Sequence, residues 1–333
     1  MDLPLSVLPP PEPPGLLSRR LLVLTGKGGT GKSTLTAALA LAAARRGKRV
    51  LVCEVTARER VSELFGKARS GSEIRELAPN LHSVHVQPQE AMHEYALITL
   101  RSETLYKLVF ERRIVRYFLK AAPSLAEIVM LGKVFWHATK DLERGRPRWD
   151  LVILDAPATG HGLTLLTVPE VFLQLVDAGP LARDMREMQS LLADPQRTAT
   201  CIVTLPEEMP ANEAVELHHG LSAHGLPQGA LFLNGVFESR FASNERQVVA
   251  RGGPLLAAAA EAADAHEARA ELAARYAAML RAEIALPLVE IPYIFEGAGW
   301  PGGDGRRTEG RNIEGAIGPP GLEQIARALE AAL

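Results

Sequence analysis

Residues Arg20 to Thr34, RLLVLTGKGGTGKST, constrain this chain more than any other stretch. Leu21 to Leu24 read as a short, fully apolar strand, and Gly26 opens a glycine-rich loop. Lys32, Ser33 and Thr34 then lead into the Ala/Leu-rich run of residues 35–44. Strand, loop and helix in that order turn G-x-x-x-x-G-K-[ST] into a phosphate-binding loop. The backbone N–H groups from Gly26 through Lys27, Gly28, Gly29, Thr30, Gly31, Lys32, Ser33 and Thr34 are expected to curl around phosphate oxygens. The glycines keep Cβ atoms out of the way. The helix adds its positive N-terminal end. Lys32 is expected to bridge the β- and γ-phosphates and the Ser33 hydroxyl to ligate Mg²⁺, which makes ATP and Mg²⁺ the expected cofactors.

A hydrophobic content of 47% supplies an ample core, and only 5% aromatics make that core aliphatic. A formal charge of −2 offers no basic footprint for nucleic acid and no polybasic membrane patch. The two cysteines, Cys53 and Cys201, each lie in an apolar run and read as small core residues, with no disulfide framework and no zinc pair. MDLPLSVLPPPEPPG lacks a basic leader and is broken by prolines, so residues 1–19 are expected to be a disordered Pro-rich tail. No apolar run reaches the length of a membrane span, and the expected location is the cytoplasm.

Residues 20–333 are expected to form one domain. Strands are expected at Arg49–Glu54, Asp150–Asp155, Ala199–Leu205, Ala230–Asn234 and Ala285–Ile291, and at Leu81–Val86 with alternating character. Helices are expected over 163–194, from Ala211, over 254–283 and over 321–332. Alternation of this kind predicts an α/β, doubly wound, mostly parallel sheet of the P-loop NTPase type. Residues 89–142 read almost wholly as helix. Leu105, Leu108 and Val109, then Ile114, Val115, Phe118 and Leu119, fall at three- and four-residue spacings, and Pro123 starts a further helix whose Ile128, Leu131 and Phe135 share a face. This helical insertion, with 163–194 as its candidate extension, is too long for an ordinary crossover. It reads as a client-facing subdomain or as a cap on the core; the scarcity of methionines (Met92, Met130) leans to the cap. The Gly/Arg-rich residues 297–320 are expected to be a mobile loop.

Asp155 ends an apolar strand, where a P-loop ATPase needs a carboxylate to hold Mg²⁺ through water. From it runs D-A-P-A-T-G-H-G-L-T-L-L-T-V-P, to Pro169. This resembles the switch II of the ArsA/Get family of ATPases, D-T-A-P-T-G-H followed by L-x-x-L-x-x-P, with Thr159, Gly160 and His161 at the T-G-H positions. The loop G-K-G-G-T-G-K-S likewise resembles the deviant Walker A of the dimeric ATPases that include this family. The resemblance implies that Lys27 crosses a dimer interface to the partner's nucleotide, that Asn234 hydrogen-bonds adenine, and that Pro292 leads a loop over the base. It covers most of residues 20–296. Lys27, Lys32 and Asp155 are the catalytic candidates that follow.

Switch I departs from the pattern. The family reads D-P-A-H where this chain has Thr56-Ala57-Arg58-Glu59, so the water-positioning aspartate is replaced by threonine. Glu54 or Glu59 could substitute only after a register shift, and loss of a positioned base can cost about 10²–10⁴ in rate. The chain has no C-x-x-C and no cysteine cluster for a metalloid, which argues against a zinc-clasped targeting factor and a metalloid pump subunit. A single P-loop means that a partner must supply the second site. The leading expectation is a homodimeric or heterodimeric ATPase acting on a protein client. The alternatives are a pseudo-ATPase paired with an active paralogue and, behind it, a partitioning-type ATPase.

Overall fold

The computed structural model describes residues 14–100, 125–176, 178–242, 244–245, 254–295 and 319–332. The sequence readings for residues 1–13, for the spacings from Leu105 to Pro123 and for the loop at 297–318 lie outside these residues. The inner end of the expected tail is corrected. Residues Leu16–Ser18 form one 3₁₀ turn, and Leu17 and Arg19 are buried, because Leu17 joins the core and Arg19 reaches the carbonyl of Thr198. Residues 319–320, assigned above to the loop, start the last helix.

The described strands are β1 (Leu21–Gly26), β2 (Val50–Glu54), β3 (Arg75–Ala78), β4 (Leu81–His85), β5 (Leu142–Glu143), β6 (Arg146–Pro147), β7 (Leu151–Ala158), β8 (Thr198–Thr204), β9 (Gln228–Val236) and β10 (Leu288–Pro292). The helices are α1 (Lys32–Arg45), α2 (Val61–Leu64), α3 (Pro88–Leu100), α4 (Leu125–Thr139), α5 (Thr159–Leu175), α6 (Pro180–Ala193), α7 (Glu208–Ala223), α8 (Pro254–Glu283) and α9 (Pro319–Ala332).

Eight strands form one sheet in the order β10-β9-β8-β1-β7-β2-β4-β3. All pairings are parallel except the antiparallel edge β3–β4. Parallel strands covered on both faces read as continuous apolar runs, and β1, β2 and β8 are buried along their whole length. Alternate residues feed two separate cores. Leu21, Val23, Leu51, Val152 and Leu154 pack beneath α4, α5, α6, α7 and α8. Leu22, Leu24, Val50, Val52, Leu151 and Ile153 pack beneath α1 and α9.

Helix α1 is apolar nearly all round, which suits a helix buried on more than one side. Its outer face is covered by Leu322, Ile325, Ala326 and Leu329 of the amphipathic α9. An ion pair from Arg45 to Glu323 joins the two helices at the rim. On the opposite face, Ile128, Leu131 and Phe135 of α4 are buried together, as their spacing predicts. A buried polar group anchors the end of α4. Asp141 Oδ2 accepts the Trp149 indole N–H at 2.9 Å and lies 2.8 Å from His137 Nδ1. Helix α3 is tied to α4 by Lys133 Nζ on Glu94, at 2.8 Å.

Candidate functional site

The site forms where β1, β7 and β2 end, beside the point at which the chain turns to the other half of the sheet. Open α/β sheets bind ligands at such a point. The loop after β1 closes tightly on its neighbours. A Cβ on Gly26 (φ 145°) would lie 2.1 Å from the Val203 carbonyl oxygen, and one on Gly31 (φ 90°) would lie 2.3 Å from Asn234 Nδ2. Both positions require glycine, for space and for backbone angle. Thr30 is buried and its hydroxyl donates to the Lys27 carbonyl at 2.9 Å, holding the loop's curl. Helix α1 starts at Lys32 with no side-chain cap, so its first N–H groups face the loop. The Lys32 ammonium folds back over the loop and donates to the carbonyls of Gly26 (2.9 Å) and Lys27 (2.8 Å). Burial lowers its pKa, against an opposing pull from Asp155.

Asp155 meets the loop from β7. The Ser33 hydroxyl donates to its Oδ2 at 2.6 Å, and Thr36 Oγ1 lies 3.5 Å from its Oδ1. The carboxyl is fully buried, and burial pushes its pKa up to about 6 despite the bond from Ser33 and the nearby Lys32. A hydroxyl and a buried carboxyl in contact are oxygen donors of the kind that suit Mg²⁺, a hard cation usually held by one or two carboxylates plus phosphate oxygens. Among the described residues no group of three or more His, Cys, Asp or Glu could hold a metal ion by itself.

Glu54 and Glu59 differ sharply. Glu59 is buried, and its carboxylate accepts from Ser62 Oγ (2.6 Å), from the Gly71 N–H (3.0 Å) and from the Ser70 N–H. Burial alone would raise its pKa, but these bonds outweigh it and hold the group below the usual carboxylate range. Both its oxygens are taken up in fixing the 59–71 segment, which corrects its reading as a water-positioning substitute. Glu54, also buried, pairs in register with Asp155, and its Oε1 accepts the N–H groups of Arg60 (2.8 Å) and Val61 (3.1 Å). Burial, with the charges of Asp155 and Glu59, pushes its pKa up to about 8 against those two bonds. Thr56 is turned to its own loop, its hydroxyl bonded to the Arg58 carbonyl at 2.9 Å. His85 Nε2 lies 2.8 Å from the Thr56 carbonyl oxygen.

Lys27, in the same loop, points along the surface to α7 and meets Glu213 Oε1 at 2.5 Å. Glu213 Oε2 also accepts the Thr159 hydroxyl at 3.2 Å. Thr159, Gly160 and His161 form the first turn of α5, one turn earlier than the helix start expected at Leu163, and His161 is exposed. On the other side of the loop, Asn234 Nδ2 donates to the Thr30 carbonyl at 2.9 Å. Pro292 ends β10, paired with Val236 two residues beyond Asn234. The sequence reading missed Thr36 and Glu213. Thr36 follows Ser33 by one helical step and could be found by spacing. Glu213 is 186 positions from Lys27, and no local pattern links the two.

Residues 19–179 match the family model of the anion-transporting ATPases, a span that holds the loop, Asp155 and the T-G-H turn. Over this span the chain is similar to that ATPase family. The family match stops short of Glu213, Asn234 and Pro292, which the fold brings to the same site. Among curated relatives, the ATPase BagA of Mycobacterium tuberculosis is 29% identical over 234 residues, covering 67% of this chain and 66% of its own length. An arsenical pump-driving ATPase of Escherichia coli is 28% identical over 242 residues, covering 67% of this chain and 40% of its own. A putative arsenical pump-driving ATPase of Aquifex aeolicus is 25% identical, covering 65% of this chain and 80% of its own. The chain thus spans a little less than two thirds of the mycobacterial relative and well under half of the E. coli one. Cys53 and Cys201 are both fully buried, on β2 and β8, and burial pushes both thiols up to about 12. Neither is exposed as a thiolate ligand. Among the described residues no helix is long and apolar enough to cross a membrane.

Proposed function

We propose that this protein is a Mg²⁺-dependent ATPase that works as a dimer and uses nucleotide-driven opening and closing to act on a protein client. The observation that carries the reading is the constellation of Lys32, Ser33 and Asp155 around the loop at the end of β1, with the Ser33 hydroxyl 2.6 Å from Asp155. In this reading the loop N–H groups and the start of α1 bind the phosphates. Lys32 leaves the loop carbonyls to neutralise charge on the γ-phosphoryl group as water attacks phosphorus and the bond to the ADP oxygen breaks. Mg²⁺, when bound, supplies further charge neutralisation at the phosphate oxygens. Ser33 and Asp155 are the residues to hold it. Asn234 and Pro292 flank the base, and Lys27 reaches the partner's nucleotide.

A second reading is favoured by the occupied switch I segment. Thr56 stands where the family has aspartate, and Glu59 is fully engaged. The chain would then bind nucleotide, hydrolyse little, and regulate an active paralogue. Steady-state ATP hydrolysis by the purified chain, with Mg²⁺ and across protein concentrations, separates the two readings. Turnover above a Lys32→Ala blank, rising faster than linearly with concentration, supports the active dimer. Binding of ATP without turnover supports the regulatory subunit, and absence of both removes the nucleotide reading.

A further inference from the structure

Glu54 closes β2 in register with Asp155 of β7, and both residues are completely buried. Their side chains follow the alternation of Val52 and Ile153, so both lie on the α1 side of the sheet, the side from which Ser33 reaches Asp155. One oxygen of Glu54 is accounted for by the N–H groups of Arg60 and Val61. The other, Oε2, is buried and has no hydrogen-bond partner among the described residues. Buried polar atoms are nearly always paired, so an acceptor oxygen left open at this depth points to a donor that the described residues do not supply. Tying down the N–H groups of Arg60 and Val61 would need only a neutral acceptor. A carboxyl with a spare oxygen beside Asp155 has a use once a divalent cation sits at Ser33.

We propose that Glu54 is a second acidic residue of the nucleotide-dependent metal site, its Oε2 accepting a hydrogen bond from a water molecule carried by the divalent cation. The inference rests on the ATPase reading above and adds a residue to it. Glu54 thereby couples the cation to the segment that begins α2, since its other oxygen holds Arg60 and Val61. It acts as a positioning residue, without contact to the reacting phosphate.

The test is equilibrium binding of ADP to the full chain by calorimetry, first in EDTA and then across a Mg²⁺ titration. Wild type is compared with Glu54→Gln, which keeps a carbonyl oxygen for the Arg60 and Val61 N–H groups. ADP affinity in EDTA is expected to match between the two proteins. The Mg²⁺ concentration that gives half of the metal-dependent gain is expected to rise about tenfold in the variant, in line with losses of outer-shell partners at metal sites. Equal Mg²⁺ requirements would overturn the assignment of Glu54 and leave the nucleotide reading intact. Failure of the wild type to bind ADP under either condition would overturn both. Should circular dichroism show Glu54→Gln unfolded, Glu54→Asp keeps the charge but shortens its reach. A raised Mg²⁺ requirement in that variant supports the assignment, and an unchanged one overturns it.

Discussion

Lys27 of the phosphate-binding loop and Glu213 of α7 form an ion pair of 2.5 Å within one chain, and the same carboxylate accepts the Thr159 hydroxyl at the start of α5. Glu213 therefore joins three segments that lie far apart in sequence: the loop, the T-G-H turn and the helix after β8. In the proposed dimer Lys27 has to exchange this carboxylate for the partner's nucleotide. Both side chains are partly exposed, at 26% and 31%, so the pair contributes only about 0–1 kcal/mol and is easily surrendered.

Glu213→Gln is accordingly expected to leave the unfolding free energy within about 1 kcal/mol of wild type. It should also lower the protein concentration at half-maximal ATP turnover by roughly two- to fivefold, the factor that corresponds to about 0.4–1 kcal/mol. Activity measured against protein concentration, with urea unfolding alongside, reads both effects. An unchanged midpoint would show that Glu213 does not restrain Lys27.

Lys32 makes two bonds to carbonyls of its own loop, which a phosphate is expected to replace. Lys32→Ala should reduce turnover by about 10²-fold or more, the usual loss when a charge-stabilising donor is removed. The fold should survive, since the strands and helices around the loop do not rest on this ammonium. Single-turnover hydrolysis and a circular dichroism melt provide the comparison, and a variant with wild-type turnover would remove Lys32 from the chemistry.

Gly31 combines a φ of 90° with the 2.3 Å approach of a would-be Cβ to Asn234 Nδ2. Gly31→Ala is expected to cost about 1–3 kcal/mol in stability from backbone strain alone. It should also push Asn234 off the Thr30 carbonyl and weaken nucleotide binding. Chemical denaturation and a fluorescent-nucleotide titration test the two parts separately. Tight nucleotide binding by the variant would count against the close approach of Asn234 to the loop.

Burial raises Glu54 to about 8 from an ordinary 4.5. Between those values the unfolded chain releases a proton that the folded chain retains, so this group makes the metal-free protein less stable as pH rises from 4.5 to 8, with no further loss above that. Asp155, raised to about 6 from 3.8, acts in the same direction over a lower window. Glu54→Gln removes the upper part of this dependence. Its unfolding free energy is expected to fall less than that of wild type from pH 5 to pH 8, the gap growing by up to about 1.4 kcal/mol per pH unit. Urea titrations of the metal-free proteins across that range measure it, and parallel pH profiles would contradict the burial of Glu54 as an acid.

Much of the architecture was legible because its signals are local. The apolar runs at Leu21–Leu24 and Val50–Glu54 could be nothing but covered strands, and the Ala/Leu run after Ser33 required a helix buried on several sides. The edge strand β3 was not legible, since RELA alternates weakly and owes its conformation to pairing with β4. The short β5–β6 hairpin turns at Arg144 (φ 53°) and Gly145 (φ 77°), and its Leu142, expected to end the helical run of 89–142, lies instead in β5, past the helix end at Thr139.

The site divides in the same way. The order of glycines, lysine and serine from Gly26 to Ser33 determined by itself a tight loop leading into a helix, with the pattern of a phosphate-binding loop, because that pattern lies in consecutive residues. Asp155 was equally visible as a carboxylate ending an apolar strand. The tertiary structure alone decided between Glu54 and Glu59, two carboxyls five residues apart. One is saturated by Ser62, Ser70 and Gly71, and the other keeps a buried oxygen with no partner among the described residues. It also decided the partnership of Lys27 with Glu213. Hydrogen-bond saturation and cross-sheet neighbours depend on which distant segments the fold brings into contact, and no spacing along the chain encodes that.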